Sequence, residues 1–136
     1  MADLDPTEAT VVAAADAQLG SGTSGATITQ GMPIYLNTAT GKYELCDADF
    51  EARAVCAGIS LNVASDTQPV DFIKSGTLTI PVATAITVGL QYYVSGFAGN
   101  INEATPSSGN YVTSLGIGLT TSSMIVSITV SGVATP

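Results

Sequence analysis

The sequence predicts an all-β domain, a small barrel or sandwich, built from two copies of one β unit and preceded by a flexible N-terminal arm. Three observations lead there. Ile28–Leu36 reads ITQGMPIYL and Ile86–Val94 reads ITVGLQYYV, a shared frame of I-T-x-G-(M/L)-x-x-Y-(L/V) at a fixed offset (86 − 28 = 58). The offset persists downstream, where Gly41 matches Gly99 and the GISL of 58–61 matches the GIGL of 116–119. From Thr27 onward the chain consists of short runs rich in Val, Ile, Thr and Tyr, broken by Gly, Asn, Ser and Pro. A unit of about 50 residues is too small to bury its own apolar face. The two copies are therefore expected to pack on each other or on a neighbouring chain.

The segment Met1–Ala26 differs from the rest, starting acidic, passing through an alanine-rich stretch and ending in Gly and Ser. Pro6–Leu19 has the signals of a helix, with Asp5 as N-cap, Pro6 at the first position, Glu8 at the third and Gly20 as the stop. Such a helix is too short and too alanine-rich to stand alone. The segment 1–26 is therefore assigned to an arm, disordered or docked on a partner, ahead of a duplicated domain over 27–136. Repeat one spans 28–76 and repeat two 86–132.

In repeat one, strands are expected over Pro33–Asn37, Lys42–Cys46, Ala54–Asn62 and Pro69–Lys74, with a short helix over Asp49–Val55 as an alternative. A linking strand lies near Thr77–Val82. Repeat two gives Gln91–Ser95, Asn100–Glu103, Ser114–Thr121 and Met124–Val130. Thr38–Gly41 and Gly96–Gly99 read as matched tight turns in which glycine supplies a positive φ. Alternation points Ile34, Leu36, Val55, Ala57, Ile59, Leu61, Val70 and Phe72 to one face. Tyr92, Val94, Leu115, Ile117, Leu119, Val126 and Ile128 are their counterparts. A two-residue shortening before the last strand pairs Gly76 with Gly132. Sheets of this kind closing on each other give pseudo-twofold symmetry.

Charged residues make up 10% of the chain and the formal net charge is −8, with Lys42, Arg53 and Lys74 as the only cations. An average soluble domain carries roughly 25% charged residues, so this surface suits a protein largely covered by neighbours. Without a Lys/Arg cluster to displace counterions, neither nucleic acid nor an anionic membrane is an expected partner. The apolar runs are too short to span a bilayer, and no secretory signal pattern opens the chain, so synthesis in a cytoplasm is expected. Cys46 and Cys56, ten residues apart (56 − 46), could close one small loop, although a cytoplasmic origin favours free thiols.

Little in the sequence points to catalysis. Histidine is absent, which removes every Ser-His and Cys-His arrangement, and no phosphate-binding loop is present. Glu44, Asp47, Asp49 and Glu51 cluster, but the calcium-loop pattern lacks its glycine and its closing acid, so a solvated acidic loop is the better account. No catalytic residue, metal ligand or cofactor is expected. The candidate partner-binding residues are the apolar side chains of the arm, Leu4, Val11, Val12 and Leu19, together with Tyr35 and Tyr93. The two tyrosines occupy equivalent places in the copies, opposite the apolar face, either as interface anchors or as core if the arm covers them.

The repeated pattern G-x-x-x-Y-(L/V), G-(K/N), G-I-(S/G)-L, running from Ile28 to Gly132 behind an arm, resembles the capsid cement, or head decoration, proteins of tailed bacteriophages. The resemblance implies a non-enzymatic virion protein on the outer surface of the expanded capsid, made in the host cytoplasm. It also implies a homotrimer that reinforces contacts between major capsid protein subunits, with the arm reaching onto the shell. Deleting Met1–Ala26 would then weaken capsid binding and leave the barrel folded. The alternative is a phage fibre, baseplate or receptor-binding β module. A secreted adhesin and an enzyme follow further behind.

Overall fold

The structure, a computed structural model, describes residues 12–80, 86–103 and 109–134. It is all-β, a curled antiparallel half-barrel, and the described residues contain no α-helix. The strands are β1 (Val12–Ala13), β2 (Gln18–Thr23), β3 (Pro33–Asn37), β4 (Lys42–Leu45), β5 (Gly58–Ser60), β6 (Pro69–Thr79), β7 (Gln91–Val94), β8 (Ile101–Asn102), β9 (Tyr111–Thr120) and β10 (Ser123–Ala134). Their order is β4-β3-β5-β6-β10-β9-β7-β8, with β1 and β2 also paired to β6. In terms of the repeat this order is a palindrome: equivalent strands occupy mirrored places about the central β6–β10 pair, the one pair of equivalents that is hydrogen-bonded among the described residues.

The duplication holds at the level of hydrogen-bond register. Ile34 pairs with Gly58 and Tyr35 with Glu44; at the same offset in repeat two, Tyr92 pairs with Gly116 and Tyr93 with Asn102. The matched turns carry Gly41 at φ 73° and Gly99 at φ 80°, the left-handed geometry that a residue with a Cβ disfavours. The offset then changes by more than the sequence suggests. Ile59 pairs with Ile73 and Ile117 with Ile125, so the offset between the last strands falls to 52 (125 − 73). The loop between β5 and β6 is thus six residues longer than the turn between β9 and β10. Gly76 and Gly132 are not structural equivalents.

This register redefines the repeat. Leu19 and Gly20 pair with Ile73 and Phe72, and at the same offsets Thr77 and Leu78 pair with Ile125 and Met124. Strand β2 is therefore the first strand of repeat one, and the C-terminal half of β6 is the first strand of repeat two. The predicted strands Pro69–Lys74 and Thr77–Val82 merge in β6, which ends at Thr79 (residues 81–82 lie outside the described residues), ending one copy and opening the next. The end of β2 is bridged to β4 at Ser24 and Tyr43, where Gly25 N–H donates to the Tyr43 carbonyl (2.7 Å). This bridge links β4-β3-β5-β6-β2 in a ring.

Several expectations are corrected. Of the helix expected over Pro6–Leu19, residues 6–11 lie outside the described residues, and 12–13 and 18–19 are strand. The tertiary demand of β6 for an edge partner overrides local helix propensity here. Residues 12–23, assigned to the arm by composition, lie in the sheet or between its strands. The strand expected over Ala54–Asn62 shrinks to Gly58–Ser60, because a 3-10 turn at Ala52–Ala54 takes the chain out of the extended conformation. Facing also changes. Leu36 and Val55 sit exposed beside turns, and Ile117 and Leu119 point outward. Between Tyr92 and Tyr93 the register of β9 slips by one residue, Tyr92 facing Gly116 and Tyr93 facing Ser114. The bulge at Leu115 reverses the parity beyond it.

Two cores result. The smaller, within repeat one, contains Ile28, Ile34, Val70 and Phe72. The larger holds Leu78, Ile86, Tyr92, Ile101, Leu115 and Met124 of repeat two and is completed by Tyr35, Ile59 and Ile73 of repeat one. The copies thus pack on each other. Their interiors are filled by compensating swaps. A Cβ on Gly20 would lie 2.6 Å from the Phe72 ring, and one on Gly22 would overlap the Tyr43 ring. At the equivalent places repeat two has Leu78 opposite Met124, and Ile80 and Ile101. Gly20→Leu should therefore destabilise the fold by about 2–3 kcal/mol through overpacking. Adding Phe72→Met, the combination repeat two already uses, should recover most of it in a denaturant titration. A double variant no more stable than Gly20→Leu would contradict the swap.

Candidate interaction surface

The sequence-predicted binding residues do not converge. Leu4 and Val11 lie outside the described residues, and Val12 pairs through its backbone with Thr79. Leu19 is exposed on β2, facing away from the core. Tyr35 is 7% exposed and belongs to the larger core, and Tyr93 is half-buried, so neither is an open anchor. Burial chiefly holds the Tyr35 hydroxyl above the ordinary tyrosine range. The neighbouring Glu44 carboxylate adds to that, while Arg53, hydrogen-bonded to the hydroxyl, partly opposes it. Arg53 also lies over the Phe50 ring, 4.5 Å from its centroid. Tyr35, Phe50 and Arg53, with Leu36 and Val55, line an open cavity of about 430 Å³.

The more extensive feature is the outer face of repeat two. Strand register places Gln91, Ile117, Ile125 and Thr77 in one row across β7, β9, β10 and β6. Ile117 and Ile125 face each other at 47% and 45% exposure, and Leu119 lies further along β9. Ser114, Ser127 and Thr129 complete a groove of about 250 Å³, where the Gln91 amide donates to Ser114 Oγ. Among the described residues, no charged side chain lines it. Sequence alternation hides this face because the bulge in β9 inverts the facing of Ile117 and Leu119, and a two-residue period does not reveal a bulge.

A second signal was readable in the sequence. Ten of the eleven carboxylates and all three cations precede Ser75. Residues 1–74 therefore carry a formal charge of −7 and residues 75–136 only −1, from Glu103. Within the first copy, residues 18–74, six carboxylates against three cations leave −3, so the duplicated units have diverged into an acidic copy and a nearly uncharged one. An exposed apolar sheet face on the uncharged half is a surface that water solvates poorly and a partner could cover.

The remaining groups have structural explanations. Cys46 and Cys56 are both buried and free. Burial, then the adjacent Cys56 thiol, then the Asp47 charge push the Cys46 thiol well above its ordinary value, the opposite of what a thiolate nucleophile requires. Asp47 Oδ1 accepts the Asp49 N–H (2.9 Å), ordering the acidic loop from within. Among the described residues no three acidic or thiol side chains gather as metal ligands would, and no helix is long and apolar enough to cross a membrane. No family model matches the chain, and no curated protein matches it.

Proposed function

We propose that the chain is a structural virion protein of the capsid-cement type, which binds the outer surface of an expanded phage capsid and reinforces contacts between major capsid protein subunits. In this reading it is not an enzyme and carries no cofactor. The observation that supports it is the two-sided surface: an uncharged, apolar sheet face over Ile117 and Ile125 beside an acidic first repeat. A protein that coats a shell needs one face that desolvates readily against its partner and another that stays hydrated outside. The excess of carboxylates keeps free copies apart in solution and discourages contact with nucleic acid. Repeated binding across the shell supplies the strength that one small contact lacks.

Cosedimentation of the purified protein with expanded, undecorated capsids tests the reading. Saturable binding is expected, and Ile117→Asp with Ile125→Asp should weaken it by about tenfold or more, since apolar residues at the centre of an interface dominate its energy. Both side chains are about half exposed and face each other across β9 and β10, so the two aspartates should also lower the denaturant midpoint somewhat, and binding is compared on variant protein whose circular dichroism matches wild type. Wild-type protein that does not cosediment would overturn the proposal and favour a fibre or receptor-binding module.

A further inference from the structure

We infer that β10 is a self-association edge, and that the chain pairs with a second copy of itself, β10 against β10, in an antiparallel twofold contact centred near Thr129. The argument begins inside the molecule. At Ser123–Val126, β10 is paired on both sides, by β9 and by the C-terminal half of β6, and Ser127 is still paired to Ser75 of β6. Beyond Ser127 the β6 pairing stops, because β6 turns to β2 and β5 at Ile73. From Ile128 to Ala134 only β9 pairs with β10 among the described residues. Ser127 and residues 129–133 are exposed, with Val130 at 38% and Val133 at 65%.

Repeat equivalence says what such an edge accepts. By the offset of the last strands, Ser127–Ser131 of β10 is the counterpart of Ser75–Thr79 of β6, and Ser75 and Ser127 face each other across the internal pair. On β6 this stretch is covered by an antiparallel strand, β10 itself. The same stretch on β10 is left uncovered among the described residues; the strand that covers it on β6 is Ser123–Ser127 (SMIVS), and Ser127–Ser131 (SITVS) of a second copy offers an antiparallel strand of closely similar residues. An unpaired row of N–H and C=O groups is a template for strand addition, and a strand pairing with its own copy about a twofold gives a closed, isologous contact.

Charge selects a second copy over an unlike partner. Natural edge strands are commonly defended by lysine or another charge, yet Ile128–Ala134 reads ITVSGVA and contains none. The nearly uncharged half of the chain would meet its twin, and no charged residue lies within β10. The Ser131–Gly132 irregularity ends the regular run. Ser131 Oγ donates to the Val112 carbonyl (2.7 Å) and accepts the Val133 N–H (3.1 Å), which limits the pairing to about the five residues used internally.

Sedimentation velocity on the full chain, over a series of concentrations, is the test. Wild type should approach twice the chain mass with increasing concentration. Thr129→Lys and Thr129→Glu, each placing like charges opposite each other at the centre of the contact, should both sediment at the chain mass. Mixed in equal amounts, these two variants should recover the doubled mass, which a folding defect could not produce. A wild type that stays monomeric overturns the proposal. So does a trimer or any other oligomer that neither variant dissociates. Loss of capsid binding would leave this result untouched, since no capsid is present.

Discussion

Gly116→Ala should destabilise the protein by about 3 kcal/mol or more, in the upper range for a side chain forced into filled space. The reason is geometric. A Cβ at Gly116 would overlap the carbonyl oxygen of Ile125, so β9 and β10 must separate before even a methyl group fits. Those strands form the longest pairing among the described residues, and it carries Tyr92 and Leu115 of the larger core beside it. Gly58 is the equivalent position in repeat one, where the added Cβ would stand 2.6 Å from the Ile73 carbonyl oxygen. Gly58→Ala should be the milder change, because β5 pairs with β6 at only two positions, Ile59 and Ser60. Against a typical total stability of about 5–15 kcal/mol, Gly116→Ala should move the denaturant midpoint far and Gly58→Ala less. A Gly116→Ala protein within about 1 kcal/mol of wild type would mean the strands do not approach as described.

The two glycines also show what was legible. Their recurrence in GISL and GIGL betrayed the duplication, and its constant offset placed β3, β4, β7 and β8 within a residue of their true bounds. What failed had physical causes. QLGSGT looks like a linker because glycine and serine carry no strand propensity. Its Gly20 and Gly22 are small for a tertiary reason, the rings of Phe72 and Tyr43 that occupy the space of their absent side chains. No local pattern records that trade, since the ring and the glycine lie about 50 and 20 residues apart in sequence and meet only through register. The outer face of repeat two was lost to one bulged residue, Leu115. Tyr35 was visible as a repeated aromatic, but whether it faced solvent depended on the packing of one copy against the other, which the repeat alone does not give. The charge division at Ser75, by contrast, was open to simple counting.

The extent of the first repeat leads to the second large effect. Deleting residues 1–26 should unfold repeat one, whereas deleting residues 1–11 should leave the fold intact. The longer deletion removes β2, which pairs with β6 from Thr23 opposite Pro69 to Gln18 opposite Ser75, and removes the Ser24 bridge to β4. Phe72 and Val70, buried at 2% and 0% exposure, would lose their cover. Each fully buried side chain of this size contributes about 1.5–3 kcal/mol, and the six open backbone positions of β6 would add a new unpaired edge. Circular dichroism with a denaturant titration should show the cooperative transition retained in the short deletion and displaced or lost in the long one. Equal midpoints would show that β2 is dispensable. The same pair of proteins decides how capsid binding must be read. Failure of the long deletion to cosediment would report a broken barrel and say nothing of an arm. Only the short deletion, with β2 still seated between β6 and β4, isolates a contribution from Leu4 and its neighbours.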